Sequence, residues 1–152
     1  MNLPNGHTRL TQAVHVRIQP MLDTATVLQK LGTWIGTQPD LHLAVVYGSF
    51  AKETQTDSSD LDIALEFSKP LTVTQRIELA AELSAIVERE VDLVDLCVVR
   101  GTILEEILTK GKFLKKNTTA YAKLLKTMWF DHEDFYPARK RILQARQKRA
   151  FG

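Results

Sequence analysis

The sequence predicts an α/β (α+β) fold, a small mixed β-sheet flanked by helices, from two observations. Apolar segments of strand length at residues 41–47, 60–67 and 91–99 alternate with stretches whose apolar residues recur every three to four positions. Strands interleaved with helices in this way build a layered sheet. The chain also has one-domain size: 152 residues, 44% apolar and 25% charged, are ordinary globular composition. Residues 1–152 are therefore read as a single domain, with a core over about 22–112 and a helical extension over about 113–152.

The elements follow in order. From Met21 to Thr37, Leu22, Ala25, Val27, Leu28, Leu31 and Trp34 lie on one face of an amphipathic helix that Asp23 or Thr24 caps. Gly36 and Pro39 end it, and the β-branched run from Leu41 to Tyr47 reads as a strand, with His42 on the face opposite Leu43 and Tyr47. Gly48-Ser49 closes that strand. The polar stretch from Lys52 to Ser59 cannot be buried, so a short helical turn after Ser49 leads into an exposed loop shaped by Ser58 and Ser59. In residues 60–67, Leu61, Ile63, Leu65 and Phe67 alternate with Asp60, Asp62 and Glu66, the period-two pattern of a half-buried strand. Lys69-Pro70 ends it, Thr72 or Thr74 starts a helix to about Arg89, and Val91 to Val99 is a third strand. A helix from about Thr102 to Thr109 stops at Gly111, expected in a left-handed terminating conformation. Helices over about 116–130 and 137–148 complete the chain.

Composition excludes several classes. The longest apolar runs fall far short of the roughly 20 residues that cross a bilayer, and the first thirty residues carry no signal-peptide pattern, so a cytoplasmic protein without a membrane partner is expected. A lone cysteine, Cys97, allows no internal disulfide and is expected as an inert core residue. Net charge is only +2, yet Lys112, Lys115, Lys116, Lys123 and Lys126 cluster, and the tail carries Arg139, Lys140, Arg141, Arg146, Lys148 and Arg149. These bases lack the interleaved aromatics of a stacking platform, so direct nucleic-acid binding is not expected. They read as solvated surface, or as a docking face for an acidic partner. Trp129, Phe130, Phe135 and Tyr136 are local core or a partner-binding patch, and His132 belongs to a surface cluster at a helix junction.

The chemistry lies in Gly48-Ser49, ten intervening residues, then Asp60-Leu61-Asp62, with Asp92 on the next strand. Alternate strand residues point the same way about 6.6 Å apart, so Asp60 and Asp62 can share metal ions held about 4 Å from each other. Like charges so close destabilise one another, and divalent cations such as Mg2+ relieve that. A glycine-serine turn lets backbone amides and a hydroxyl approach phosphates. Triphosphate on the turn, metals on the strand and an acid to receive a proton together suggest nucleotidyl transfer. Lys52 is within reach of the turn and is a candidate for neutralising phosphate charge, or a surface lysine.

Three segments, Val46-Tyr-Gly-Ser-Phe-Ala-Lys52, Ser59-Asp-Leu-Asp-Ile63 and Val91-Asp-Leu-Val94, resemble the minimal nucleotidyltransferases of the DNA polymerase β superfamily, over about residues 25–112. The short chain with C-terminal helices is similar to the MntA-type antitoxins that accompany HEPN ribonuclease toxins. That resemblance implies an enzyme using ATP and two Mg2+ ions to place AMP on a hydroxyl of its toxin, a tyrosine by preference. It implies that Gly48 and Ser49 hold the triphosphate, and that Asp60, Asp62 and Asp92 form the metal-binding and catalytic triad. Asp92 is preferred to Asp95, which projects to the other face of a regular strand; a β-bulge would reverse the choice. Two alternatives stand beside this reading: a non-catalytic antitoxin that neutralises by occlusion, and a small-molecule enzyme similar to aminoglycoside nucleotidyltransferases. About forty residues after Gly111 are too few for the second domain that the latter bring.

Overall fold

A computed structural model describes residues 20–56 and 59–131. Helix α1 (Thr24–Gly36) begins at Asp23, whose carboxylate accepts the Thr26 amide at 2.8 Å. Strands β1 (Leu41–Tyr47) and β2 (Leu61–Phe67) follow, then α2 (Val73–Val87). Thr72 starts α2 through a reciprocal capping box with Gln75, which is why the helix begins there and not at Thr74. Strand β3 (Val91–Asp95), helix α3 (Gly101–Lys110), strand β4 (Lys112–Lys116) and helix α4 (residues 118–131) complete the described chain. Among the described residues, no helix is long and apolar enough to cross a membrane.

The sheet is mixed, in the order β3-β2-β1-β4. Strand β1 runs antiparallel to both β2 and β4, while β2 and β3 are parallel and joined by α2. Each sheet face has its own core. Val27, Leu31, Trp34 and Ile35 of α1 and Leu83 and Val87 of α2 pack on Ala44, Val46, Leu61, Ile63, Leu65 and Leu93. Leu104, Ile107 and Leu108 of α3 and Ala120 and Leu124 of α4 pack on Leu43, Val45 and Ala64 from the other side. The strands therefore carry nearly continuous apolar runs, as expected of a sheet covered on both faces. The end of β1 and the starts of β2 and β3 meet at one end of the sheet.

Five sequence expectations are corrected. Strand β3 stops at Asp95 instead of reaching Val99, because the buried Asp95 carboxylate accepts the Leu71 amide at 2.8 Å and the Cys97 amide at 2.9 Å and turns the chain. The C-terminal extension opens with strand β4, whose lysines mark it as a sheet edge. Gly111 is extended, with φ −70° and ψ 154°, not left-handed. Glycine suits it because a Cβ there would lie 2.3 Å from the Ile107 carbonyl oxygen and 2.4 Å from Val45. His42 lies at a register shift between Leu41 and Leu43 and lines a cavity beneath α4 with Glu66, so strict alternation fails there. Cys97 is only partly buried, and burial with the nearby Asp95 pushes its thiol up to about 11. Ser58, His132, Phe135, Tyr136, the basic tail and the helix expected at 137–148 lie outside the described residues.

Candidate active site

Strand register assembles the acids. Tyr47 on β1 stands opposite Asp62 on β2, and Asp62 stands opposite Asp92 on β3. Residues directly opposite share a sheet face, so the three form a row across the end of the sheet, on the side covered by α3. Asp60 lies two residues before Asp62 and is close enough to raise its carboxyl. Asp62 is half-buried, whereas Asp60 and Asp92 are exposed. Asp95 sits three residues beyond Asp92, buried and bound to backbone amides on the α2 side. The geometry thus gathers Asp60, Asp62 and Asp92 and leaves Asp95 out.

The turn after β1 is fitted to this row. Gly48 has φ +66°, and a Cβ there would lie 2.2 Å from Asp62 Oδ2. Glycine is thus needed twice, for the left-handed backbone and for the approach of the turn to the carboxylate. The Lys52 amide donates to the Gly48 carbonyl at 3.2 Å and the Thr54 amide to the Ser49 carbonyl at 3.0 Å. These bonds make the single helical turn expected after Ser49, closed by Glu53 in the left-handed region at φ 55°.

The loop between turn and strand is pinned by Arg89. Its guanidinium stacks on the buried Phe50 ring at 4.7 Å and donates to the Ser59 carbonyl at 3.2 Å and the Leu22 carbonyl at 3.3 Å. Phe50 follows the glycine-serine pair and Ser59 precedes Asp60, so one cation fixes both arms of the site. Ser59 also accepts the Thr56 amide through Oγ at 2.8 Å, which closes the loop.

Electrostatically the site is crowded with negative charge. Burial raises the Asp62 carboxyl above the usual carboxylate range, and Asp92, Asp60 and Glu106 raise it further. Burial and then Asp62, Asp92 and Glu106 likewise hold the Tyr47 hydroxyl well above its ordinary value, so it stays protonated. Lys52 brings a second cation besides Arg89, and its Nζ lies 3.4 Å from Glu106 Oε1, with both side chains about half exposed. Lys52 is therefore at the site's rim, engaged with a carboxylate.

Among the described residues, no three His, Cys, Asp or Glu side chains form a ready cage for a metal ion. The donors that do meet here are carboxylate oxygens on adjacent strand positions, a hard set that suits Mg2+. That ion is ordinarily held by one or two carboxylates together with substrate phosphates and water, so an incomplete protein cage fits it.

Three participants were not singled out in the sequence: Tyr47, Arg89 and Glu106. Tyr47 carried a signal, a polar-tipped residue immediately before the glycine-serine pair. Arg89 and Glu106 carried none, since Arg89 reaches the site from the turn between α2 and β3 and Glu106 from α3, contacts formed only on packing.

Comparison with known proteins places this geometry among relatives. The sequence pattern of the family described as "Polymerase beta, Nucleotidyltransferase" matches residues 29–120, which include every residue of the row and the turn. The chain is 37% identical over 76 residues to the protein adenylyltransferase MntA of Shewanella oneidensis, covering 50% of this chain and 55% of that protein. It spans about half the length of the curated relatives it matches first. Among solved structures, a toxin-antitoxin with AMP-PNP superposes with TM-score 0.66 at 25% identity, covering 83% of this chain and 99% of that one. The toxin-antitoxin MntA-HepT superposes with TM-score 0.62 at 22% identity, over 82% and 99% of the respective chains, a likeness of fold.

Proposed function

The chain belongs to the polymerase beta nucleotidyltransferase family, and from that premise we propose that it is an antitoxin adenylyltransferase. It moves AMP from ATP to a hydroxyl, a tyrosine by preference, of a HEPN-type ribonuclease toxin with which it assembles. One observation carries the reading: Asp62 and Asp92 stand opposite each other in register, with the Gly48 turn pressed against Asp62. The relatives support the rest. One is described as a protein adenylyltransferase, and one solved toxin-antitoxin relative holds an ATP analogue.

In this mechanism the amides of the Gly48-Ser49 turn and the Ser49 hydroxyl take the triphosphate, whose approach the missing side chain at Gly48 permits. Lys52 leaves Glu106 for phosphate oxygen, exchanging a half-exposed pair worth little for a more highly charged partner. Asp60, Asp62 and Asp92 would hold two Mg2+ ions. When bound, these ions neutralise phosphate charge and orient the triphosphate for in-line displacement. The acceptor oxygen attacks the α-phosphorus, the bond to pyrophosphate breaks, and Asp92, the exposed member of the row, receives the acceptor proton. Tyr47, kept protonated by burial and then by its acidic neighbours, remains a hydrogen-bond donor beside Asp62.

The test is mass spectrometry of the toxin after incubation with this protein, ATP and Mg2+. Whole AMP units should appear on the toxin, and an Asp60→Asn/Asp62→Asn variant should add none while remaining folded. An unmodified toxin, or full labelling by the variant, overturns the assignment. Trp129 and Phe130, 65% and 52% exposed on α4, favour a second contribution from binding. If the double variant still protects cells from the toxin, occlusion and not transfer is the mechanism.

A further inference from the structure

The two edges of the described sheet are built differently. Strand β4 is blunted by three lysines. Strand β3, at the opposite edge, is flanked by exposed apolar side chains, Ile77 of α2 at 64% and Val98 just beyond the strand at 56%. An open groove of about 550 Å3 follows this edge, lined by Ile77, Ala80, Val98 and Val99 and by all five residues of β3.

Backbone alternation leaves a ladder unfilled in the groove. The Leu61 amide donates to the Glu90 carbonyl and the Leu96 amide to the Leu65 carbonyl, both at 2.9 Å, so the even-numbered residues here turn their backbone groups toward β2. Val91, Leu93 and Asp95 turn theirs outward. The ends of that outward row are closed: the Val91 amide donates to the Ser84 hydroxyl at 3.2 Å, and the Asp95 carbonyl accepts the Val98 and Val99 amides at 3.2 and 3.1 Å. Between them the Val91 carbonyl, the Leu93 amide and carbonyl and the Asp95 amide meet no partner among the described residues.

Asp92 decides what fills this edge, because it belongs both to the groove and to the acid row. Its β2 side is taken by Asp62, so an acceptor arriving along the row comes from the β3 edge. Resting on the reading that the acceptor is a polypeptide, we propose that the segment bearing the accepting hydroxyl docks here as an added antiparallel strand on β3, with the hydroxyl side chain opposite Asp92. The four outward backbone groups bind its main chain, as in other cases of strand addition. The residue opposite Asp92 then stands in a non-hydrogen-bonded pair, the closer of the two spacings, with Cα atoms about 4.5 Å apart, and shares the Asp92 face. The row of Tyr47, Asp62 and Asp92 gains a fourth member, whose proton comes within reach of Asp92. The residues before and after it turn to the α2 side with Val91 and Leu93, where Ile77 and Ala80 offer apolar contact, so the acceptor is expected between apolar neighbours. A small free hydroxyl compound has no main chain with which to use this ladder.

The test measures AMP transfer at graded toxin concentrations, with residue-resolved amide hydrogen exchange of the AMP-PNP and Mg2+ complex in parallel. Ile77→Glu/Val98→Glu, at two exposed positions, should raise KM for the toxin at least tenfold while kcat at saturating toxin and AMP-PNP affinity stay near wild type. Toxin should slow exchange of the Leu93 and Asp95 amides at least tenfold. Transfer by wild type with an unchanged KM in the variant, or with no slowing at either amide, overturns the docking and leaves the transferase reading standing. No transfer by wild type overturns that reading, and the acceptor strand falls with it. Should the variant lose AMP-PNP binding, the exchange measurement, which needs no substitution, decides.

Discussion

Asp62 is where the cost of the site is concentrated. Its carboxyl is raised by burial and by Asp92, Asp60 and Glu106, so between the unfolded and folded values the native chain binds more protons than the unfolded one. Stability then falls as pH rises through that window, from the ordinary carboxylate value of about 3.9 upward. Without Mg2+, Asp62→Asn should therefore melt higher than wild type at neutral pH, and the two should converge when pH drops below the window. Glu66 is shifted in the same direction, but it is present in both proteins and cancels from the difference. Thermal melts in EDTA across the pH range check this, and a variant that melts lower than wild type at neutral pH contradicts it. At this scale the sequence was informative because Gly48, Ser49, Asp60 and Asp62 lie within one short segment. Tyr47 and Glu106 owe their coupling to register and helix packing, which local spacing does not encode.

Among the elements, the end of β3 separates two acids that look alike in sequence. Asp92 faces the acid row, while Asp95 terminates the strand by accepting amides from the start of the α2 connection and from Cys97. Asp95→Ala leaves both N–H groups without that acceptor and should cost about 2–4 kcal/mol in urea denaturation. The folded fraction should keep wild-type nucleotide affinity, since Asp95 is not part of the row. Loss of nucleotide binding without loss of stability would instead place Asp95 in the site. Helix starts were legible because Asp23 and Thr72 sit at capping positions. Strand β4 was not, because its five residues, three of them lysine, have neither apolar alternation nor turn signals, and pairing with β1 alone makes them a strand. Gly111 illustrates the same limit: its glycine answers to Ile107 and Val45, contacts formed only after packing.

On the scale of the whole molecule, two cores hold the sheet rigid from both faces while its open end collects carboxylates that repel one another. Cations and a triphosphate that bridge β1, β2 and β3 there should therefore stabilise the entire cooperative unit and not one loop. At a ligand concentration one hundred times Kd, linkage gives about 2.7 kcal/mol. For a chain of this size, each kcal/mol moves the midpoint by roughly 2–4 °C. AMP-PNP with Mg2+ should then raise the melting temperature by roughly 5–10 °C. AMP-PNP with EDTA should do far less, because the triphosphate would then add negative charge to a site already crowded with it. In Asp60→Asn/Asp62→Asn the nucleotide should lose most of its dependence on Mg2+, since the carboxylates that demand the cation are gone. Differential scanning calorimetry of the four combinations measures each arm, and equal shifts with and without Mg2+ in wild type would remove the metal from the site.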